Sequence, residues 1–192
     1  VEMLAPDAAL EVAAGLGLHE RVAGLNIFRT LFHRPATAKA ISDLLLSLLL
    51  EAKLSHRLRE LVIMRIGWAT GCDYEWTQHW PLAQEMGGCT PEEVLAVRDW
   101  RAADCFEEAD RAVLTATDEL LETGDLADAT WQRCHAVLGR NACVDLVAAI
   151  GTWSMISTLA RGLRVRLEDG IASWPPDGEP SPAAPAGGGV RE

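Results

Sequence analysis

Basic residues are scarce in this sequence of 192 residues. Lys and Arg number 17 against 28 Asp and Glu, which gives a formal net charge of −11. This balance repels phosphate backbones and anionic lipid surfaces, so we expect neither a nucleic-acid partner nor a membrane partner. A small anionic substrate would have to be captured by a local cluster of cations, because the overall field would not attract it.

The sequence also lacks the cysteine patterns of disulfide-bonded and zinc-binding proteins. Its five Cys are an odd number and none forms Cys-x-x-Cys, so neither a disulfide framework nor a zinc ribbon is indicated. The longest apolar run, Leu44–Leu50 interrupted by Ser47, is far shorter than the roughly 18 residues of a membrane span. No secretory signal is recognised, and the composition is globular. We expect a soluble, cytoplasmic protein.

Apolar residues recur at helical spacing in almost every segment. Pro35 suits a first helical position, Ser55 can cap a helix that Gly71 ends, and Thr90–Glu93 is a capping box. The only stretch of period two, residues 163–167, is too short to indicate a sheet. The sequence therefore predicts an all-α fold of about seven helices. The expected helices cover residues 35–50, 55–69, 73–86, a segment from 90 onward, 107–122, 129–138 and 141–161.

Proline and glycine crowd the end of the chain. Five of the nine Pro lie within the last 18 residues, and this segment has no apolar periodicity. Both features are typical of a flexible tail. We therefore expect one helical domain over residues 1–170 and a flexible tail over residues 171–192.

Two ionisable residues share the apolar face of the helix that is predicted from Asp73. Glu75 and His79 are separated by one helical turn, so their side chains can touch, while Asp73 and Thr77 lie on the opposite, polar face. A carboxylate can orient an imidazole, which exchanges protons near neutral pH. Buried pairs of this kind also serve structure, so this helix alone leaves both interpretations open. Cys72 projects to the same side.

A third ionisable residue, Glu60, lies on the preceding helix, where apolar residues cover most of the circumference. Desolvation is expected to raise the pKa of a carboxyl group in that position. The alternative is a structural ion pair with Arg57, Arg59 or Arg65. Two buried acids and a His on consecutive helices favour catalysis.

Five segments of the sequence form a recognisable set of motifs: Arg59–Ile63, Gly71–His79, Gly88 with Thr90–Glu93, Asn26–Leu31 and His33–Pro35. Together they resemble the carboxymuconolactone decarboxylase and alkylhydroperoxidase-D-like (AhpD-like) superfamily. The resemblance implies an AhpD-like orthogonal helical bundle that assembles as trimers or hexamers, often with the active site near a subunit contact.

One position separates the two branches of this superfamily. Peroxidase members carry Cys-x-x-Cys-x-x-x-His with a Glu twelve residues earlier, and Glu60, Cys72 and His79 match three of these positions. Glu75 stands where the second Cys would be, so no vicinal dithiol can cycle through a disulfide. Decarboxylase members carry Glu-x-x-x-His, which Glu75 and His79 match.

Other side chains are candidates for contacts with a substrate. Arg59 is the cation beside Glu60 that could hold a carboxylate, and the aromatic residues Tyr74, Trp76 and Trp80 could line a pocket for a planar molecule. Core packing is the alternative interpretation of these aromatics. No cofactor and no metal site are expected, although Cys72, Glu75 and His79 together leave a metal as a minor alternative.

The leading hypothesis is a cofactor-independent acid–base enzyme that acts on a small molecule bearing a carboxylate or a lactone. His79 would move the proton, Glu75 would orient it, and Glu60 would relay protons or hold the substrate. Decarboxylation is what the resemblance implies, whereas the residues alone indicate proton transfer, which includes isomerisation. The alternatives are a thiol-dependent peroxidase that uses Cys72 and a non-catalytic, oligomeric binding protein.

Overall fold

The computed structural model describes residues 1–185, whose contacts fall into two compact units. One unit comprises Val1–Glu51 with Thr158–Ile171, and the other comprises Ala52–Ser157 with the chain from Ala172 onward. The described residues are helical or irregular, without a β-strand. The predicted all-α class is therefore confirmed, while the single domain predicted over residues 1–170 stays a prediction.

Ten α-helices and one short 3-10 helix, Val97–Asp99, are formed within residues 1–185. From α4 onward the helices follow the predicted ranges closely. Helices α1 to α3 were not predicted, and two of them have only 5 and 6 residues, too few for apolar periodicity to be recognised. The helices are α1 Pro6–Gly15, α2 Glu20–Gly24, α3 Asn26–Leu31, α4 Pro35–Leu50, α5 His56–Thr70, α6 Asp73–Glu85, α7 Pro91–Ala96, α8 Glu108–Thr123, α9 Asp128–Leu138 and α10 Arg140–Gly162.

Local signals set the bounds of α5 and α6. The Ser55 hydroxyl accepts a hydrogen bond from the Leu58 amide, which satisfies one of the free donors at the start of α5. Gly71 ends this helix in the left-handed conformation, with φ of +67°, which a residue with a Cβ adopts only at a cost. Only Gly71 and Cys72 separate α5 from α6, so the two helices form a hairpin.

In the first unit, the buried side chain of Asn26 holds the extended segment that follows α10. Its amide donates hydrogen bonds to the carbonyls of Arg166 and Leu167, and its backbone N–H donates to the Glu168 carboxylate. The segment of period two is therefore irregular chain that is fixed by a side chain.

In the second unit, α5 lies at the centre and packs against both α6 and α8. Its apolar residues are inaccessible to solvent around most of the helix, as the sequence predicts; Leu61, Val62, Ile63, Met64 and Ile66 are each 0% exposed. Any polar side chain on this helix must therefore find a partner inside the protein.

The chain after residue 171 differs from the flexible tail that was expected. Trp174 is 6% exposed and Ser181 is 4% exposed, and Trp174 belongs to the core cluster of the second unit. The packing of the Trp174 indole among other aromatic side chains stabilises this segment more than its Pro and Gly content loosens it. The last part of the predicted tail, residues 186–192, lies outside the described residues.

One helix among residues 1–185, α10, is long and apolar enough by length and composition to cross a bilayer. Half of its most apolar stretch is buried inside the protein, and the core helices of soluble proteins pass the same test. This is weak evidence for a membrane span, and the cytoplasmic location stays a prediction.

Candidate active site

Glu60 and His79 meet across the α5–α6 hairpin. Nδ1 of His79 lies 2.8 Å from Oε2 of Glu60, although the two residues are 19 positions apart. The helices approach closely because Gly67 has no side chain, since a Cβ there would lie 3.0 Å from the Trp76 backbone N. Gly87 likewise allows a close approach to Glu60, because a Cβ added at Gly87 would lie 3.2 Å from the Cβ of Glu60.

The Glu60 carboxylate is 1% exposed, and both of its oxygens have hydrogen-bond partners. Oε1 accepts hydrogen bonds from Nε and Nη2 of Arg59, at 3.3 and 3.2 Å, while Oε2 faces His79. Burial by itself raises the pKa of Glu60, but the charges and hydrogen bonds of His79 and Arg59 outweigh it and leave the pKa below its ordinary value. The expected rise in this pKa is therefore wrong, because two partners stabilise the ionised form. Glu60 is a carboxylate at neutral pH.

His79 is held at one nitrogen and reaches solvent with part of its ring. The side chain is 16% exposed, and the Trp153 ring stands edge-on to it at a centroid distance of 6.2 Å. Within residues 1–185 its only hydrogen bond is the one from Nδ1 to Glu60. A carboxylate that accepts a hydrogen bond from Nδ1–H fixes the tautomer and leaves Nε2 as the atom for proton exchange.

Glu75 turns away from His79, contrary to the predicted pair. Its Oε2 accepts a hydrogen bond from the Ser157 hydroxyl of α10, and the Thr70 hydroxyl lies 3.2 Å from that of Ser157. Oε1 is buried and has no hydrogen-bond partner within the described part of the chain. The spacing of one turn allowed contact with His79, but the ionised Glu60 on α5 holds the imidazole.

The environment of Glu75 is apolar enough to keep it neutral. Burial raises the pKa of this carboxyl group to about 8, against a smaller opposite effect of the Ser157 hydrogen bond. Among residues 1–185, no cation contributes to its stabilisation. Glu60 and Glu75 thus lie on adjacent helices in opposite protonation states at neutral pH, for physical reasons that differ.

Comparison with known proteins agrees with this architecture. Residues 35–119 match the sequence model of the carboxymuconolactone decarboxylase family. An AhpD-like protein of unknown function from Agrobacterium tumefaciens superposes with a TM-score of 0.65 at 23% identity, over 72% of this chain and 94% of that one. Residues 35–119 are therefore similar to the carboxymuconolactone decarboxylase family, and the chain shares the AhpD-like fold.

Two further solved structures share the AhpD-like fold. The alkylhydroperoxidase AhpD core of a peroxidase-related protein from Ralstonia eutropha JMP134 has a TM-score of 0.68 at 21% identity, over 86% of this chain and 87% of that one. The debrominase Bmp8 has a TM-score of 0.65 at 17% identity, over 85% and 86% of the two chains. A search of curated protein sequences gave no match. At these identities the structural similarities show the fold alone.

The cysteine of the AhpD-like motif is enclosed. Cys72 is 1% exposed, and its backbone N–H donates a hydrogen bond to the Gly67 carbonyl at 2.8 Å, which closes the turn between α5 and α6. Within residues 1–185, no group of three or more His, Cys, Asp or Glu side chains is arranged to hold a metal ion. The structure therefore does not gather Cys72, Glu75 and His79 into a set of metal ligands.

The aromatic candidates for substrate contacts lie mostly in the core. Trp76 is 0% exposed and Tyr74 is 7% exposed; Trp76 Nε1 donates a hydrogen bond to the Pro175 carbonyl at 2.8 Å. Trp80 is half-buried, with its ring 6.1 Å from that of Trp76. These positions favour packing over substrate contact for Trp76, while the substrate contacts proposed for Tyr74 and Trp80 stay predictions.

Arg59, the cation that was predicted to hold a substrate carboxylate, binds the Glu60 carboxylate instead.

A cavity of about 430 Å³ lies elsewhere in the second unit, and Glu60, Glu75 and His79 are not among the residues that line it. The lining includes Arg65, Trp68, Arg98, Asp118, Glu122 and Ser181.

Sequence reasoning missed the residues of α10 that complete the site. Ser157 is 1% exposed and holds Glu75, and Trp153 is 2% exposed and packs against His79. Both lie in the apolar helix α10, where single polar or aromatic residues carry no local signal for a partner 82 positions away.

Proposed function

We propose that this chain is an acid–base enzyme of the superfamily, in which His79 transfers a proton and Glu60 orients it. The observation that carries the proposal is the Nδ1–Oε2 contact of 2.8 Å, in which a carboxylate that is 1% exposed holds an imidazole that is 16% exposed. One end of the pair is fixed inside the protein, and the ring reaches towards solvent.

The proton balance follows from the two nitrogens of the imidazole. Nδ1 keeps its proton and donates a hydrogen bond to Glu60, while unprotonated Nε2 has a lone pair that accepts a proton from an acidic carbon of the substrate. Return of that proton to another atom completes an isomerisation. In a decarboxylation, Nε2 first takes a proton from water. The C–C bond to the carboxylate then breaks, CO₂ leaves with the electron pair staying on the carbon, and that carbon takes the proton from Nε2.

Arg59 balances the charge of the Glu60–His79 pair. Its guanidinium offsets the Glu60 carboxylate within the same buried cluster, so a proton taken up by His79 leaves the cluster with one net positive charge. Such a site stabilises negative charge that develops on a neighbouring substrate carbon or oxygen. A small carboxylate or lactone substrate supplies that charge when it forms an enolate or loses CO₂, and the match to the carboxymuconolactone decarboxylase family favours this class.

Glu75 has a role in this proposal that differs from orienting His79. It is a neutral carboxylic acid at pH 7, because its pKa is raised to about 8. Glu75 therefore provides a dry, uncharged environment next to the Glu60–His79 pair. The trimeric or hexameric assembly of the protein stays a prediction.

A thiol-dependent peroxidase is less well supported. Cys72 is 1% exposed, and Glu75 occupies the position of the second motif Cys. The debrominase Bmp8, one of whose structures holds 2,3,4-tribromopyrrole, belongs to the same fold, but at 17% identity its chemistry does not carry over. If the chain were a non-catalytic binding protein, the buried Arg59–Glu60–His79 arrangement would have a structural role only.

Proton transfer can be tested before a natural substrate is known. Small lactones and keto acids are incubated with the protein in D₂O, and NMR follows deuterium uptake at carbon and loss of CO₂. His79→Gln should reduce the rate by about 10²-fold or more, while the matched variant of the exposed His135, His135→Gln, should not. Equal rates for the wild-type protein and His79→Gln would overturn the assignment.

A further inference from the structure

The segment after residue 171 lies against the first turns of α6. The Trp174 backbone N–H lies 3.1 Å from Oδ1 of Asp73, and the Ser173 hydroxyl donates to the other oxygen of the same carboxylate. The Trp76 indole N–H in turn donates to the Pro175 carbonyl. Asp73 lies on the polar face of α6, and this segment contacts it there. Residues 172–184 are called the strap below.

The strap also packs against apolar residues of α5 and α6. The Trp174 ring lies 5.8 Å from that of Trp68 and 6.3 Å from that of Trp76. Further along, the Ser181 hydroxyl donates to the Trp68 carbonyl at 2.6 Å. A Cβ on Gly71 would lie 2.4 Å from the backbone of Ala183, so the strap fits against a position where only glycine is possible.

An ion pair joins the strap to the body of the unit. Both terminal nitrogens of Arg98 bind Asp177, at 2.8 and 2.9 Å, and the guanidinium stacks over Trp68 at 4.5 Å and over Trp76 at 5.1 Å. The Asp177 side chain is 41% exposed, so water and salt reach this pair. Arg98 also lies 3.5 Å from Glu179 of the strap, whose side chain is 72% exposed. The ion pairs of Arg98 are therefore attachments of the strap that solvent reaches, whereas Trp174 and Ser181 are 6% and 4% exposed.

We propose that the strap is a reversible clamp on α6, with the Arg98–Asp177 ion pair as its latch. When the latch opens, α6 loses the hydrogen bonds at Asp73 and Trp76 and the packing of Trp174, and it moves relative to α5. His79 lies on α6 and Glu60 on α5, so the clamp sets the Nδ1–Oε2 distance. The effect on turnover rests on the function proposed for His79, whereas the clamp itself does not.

Hydrogen exchange on the full chain tests the clamp directly. Asp177→Asn should speed amide exchange in the strap and in α6 about two- to fivefold, because an exposed ion pair contributes only modestly. The matched control is Glu108→Gln, which removes a bidentate pair with Arg133, at 2.6 and 2.8 Å, on α8 and α9. High salt should speed exchange of the wild-type strap and change Asp177→Asn little.

Two results would overturn the proposal. One is exchange in the strap and in α6 that is the same in Asp177→Asn and Glu108→Gln. The other is faster exchange in the strap with none in α6, which would show a loose segment that clamps nothing. His79→Gln should leave strap exchange unchanged, so failure of the clamp and failure of the acid–base proposal are separate results.

Discussion

Glu75 makes the stability of this protein depend on pH in a direction opposite to that of an ordinary carboxyl group. Its side chain is 2% exposed and lacks a partner at Oε1 within the described residues. Replacing it by Gln keeps the shape and removes the ionisation. Glu85→Gln, at an exposed position of the same helix, removes one formal charge without a change in burial and serves as the control.

The magnitude follows from the pKa of Glu75, which is raised from 4.5 to about 8. The folded protein keeps a proton that the unfolded chain releases above pH 4.5, so the free energy of unfolding falls as pH rises towards 8. At about 1.4 kcal/mol for each pH unit, the full loss is on the order of 5 kcal/mol. Glu75→Gln should be free of this loss. Glu60 acts in the opposite sense and at lower pH, because its pKa lies below the ordinary value; its stabilisation is present above the unfolded pKa and is lost as pH falls through the folded one.

Urea unfolding at pH 5, 7 and 9, followed by circular dichroism, measures the effect. The difference in unfolding free energy between Glu75→Gln and the wild-type protein should grow by several kcal/mol from pH 5 to pH 9. The Glu85→Gln difference should stay nearly constant. If the wild-type and Glu75→Gln curves run parallel across this range, Glu75 ionises normally and the account of its environment is wrong.

Three further predictions concern packing and access. Gly87→Ala should lower the melting temperature, because the new Cβ would lie 2.5 Å from a carbonyl oxygen of α6. Gly151→Ala has open space around the new Cβ and should raise the melting temperature slightly. Equal shifts of the two variants in calorimetry would contradict this. Trp174→Ala should cost about 3–5 kcal/mol in urea unfolding, while a flexible tail would give no loss. Iodoacetamide should label exposed Cys105 well before buried Cys72, and mass spectrometry showing equal labelling would contradict the burial of Cys72.

The helices could be predicted because their signals are local. Ser55, Gly71 and the Thr90–Glu93 capping box each act within four residues, and the structure places a helix boundary at each of them. The strap could not be predicted, because its order comes from Trp174 packing on helices about a hundred residues earlier in the chain. Proline and glycine content describes the freedom of a segment on its own and says nothing of what it packs against.

The pairing within the candidate site could not be predicted from the sequence, and the roles predicted for its residues stay predictions. Helical spacing showed that Glu75 and His79 could touch, and burial showed that Glu60 needed a partner. The choice of partner depends on the approach of α5 and α6, which Gly67 permits, and on Ser157, which no spacing along α6 reveals. The pKa of Glu60 was expected to rise because its two hydrogen-bond partners, Arg59 and His79, could not be assigned from sequence.

The orientation of the His79 proton tests the central claim most directly, and it requires no substrate. Long-range ¹H–¹⁵N NMR spectra distinguish the two neutral imidazole tautomers. The Glu60 contact predicts a proton on Nδ1 and a bare Nε2, and Glu60→Gln should disturb this preference. A neutral His79 with its proton on Nε2 would contradict the account, because the nitrogen assigned to proton exchange would then have no lone pair to offer.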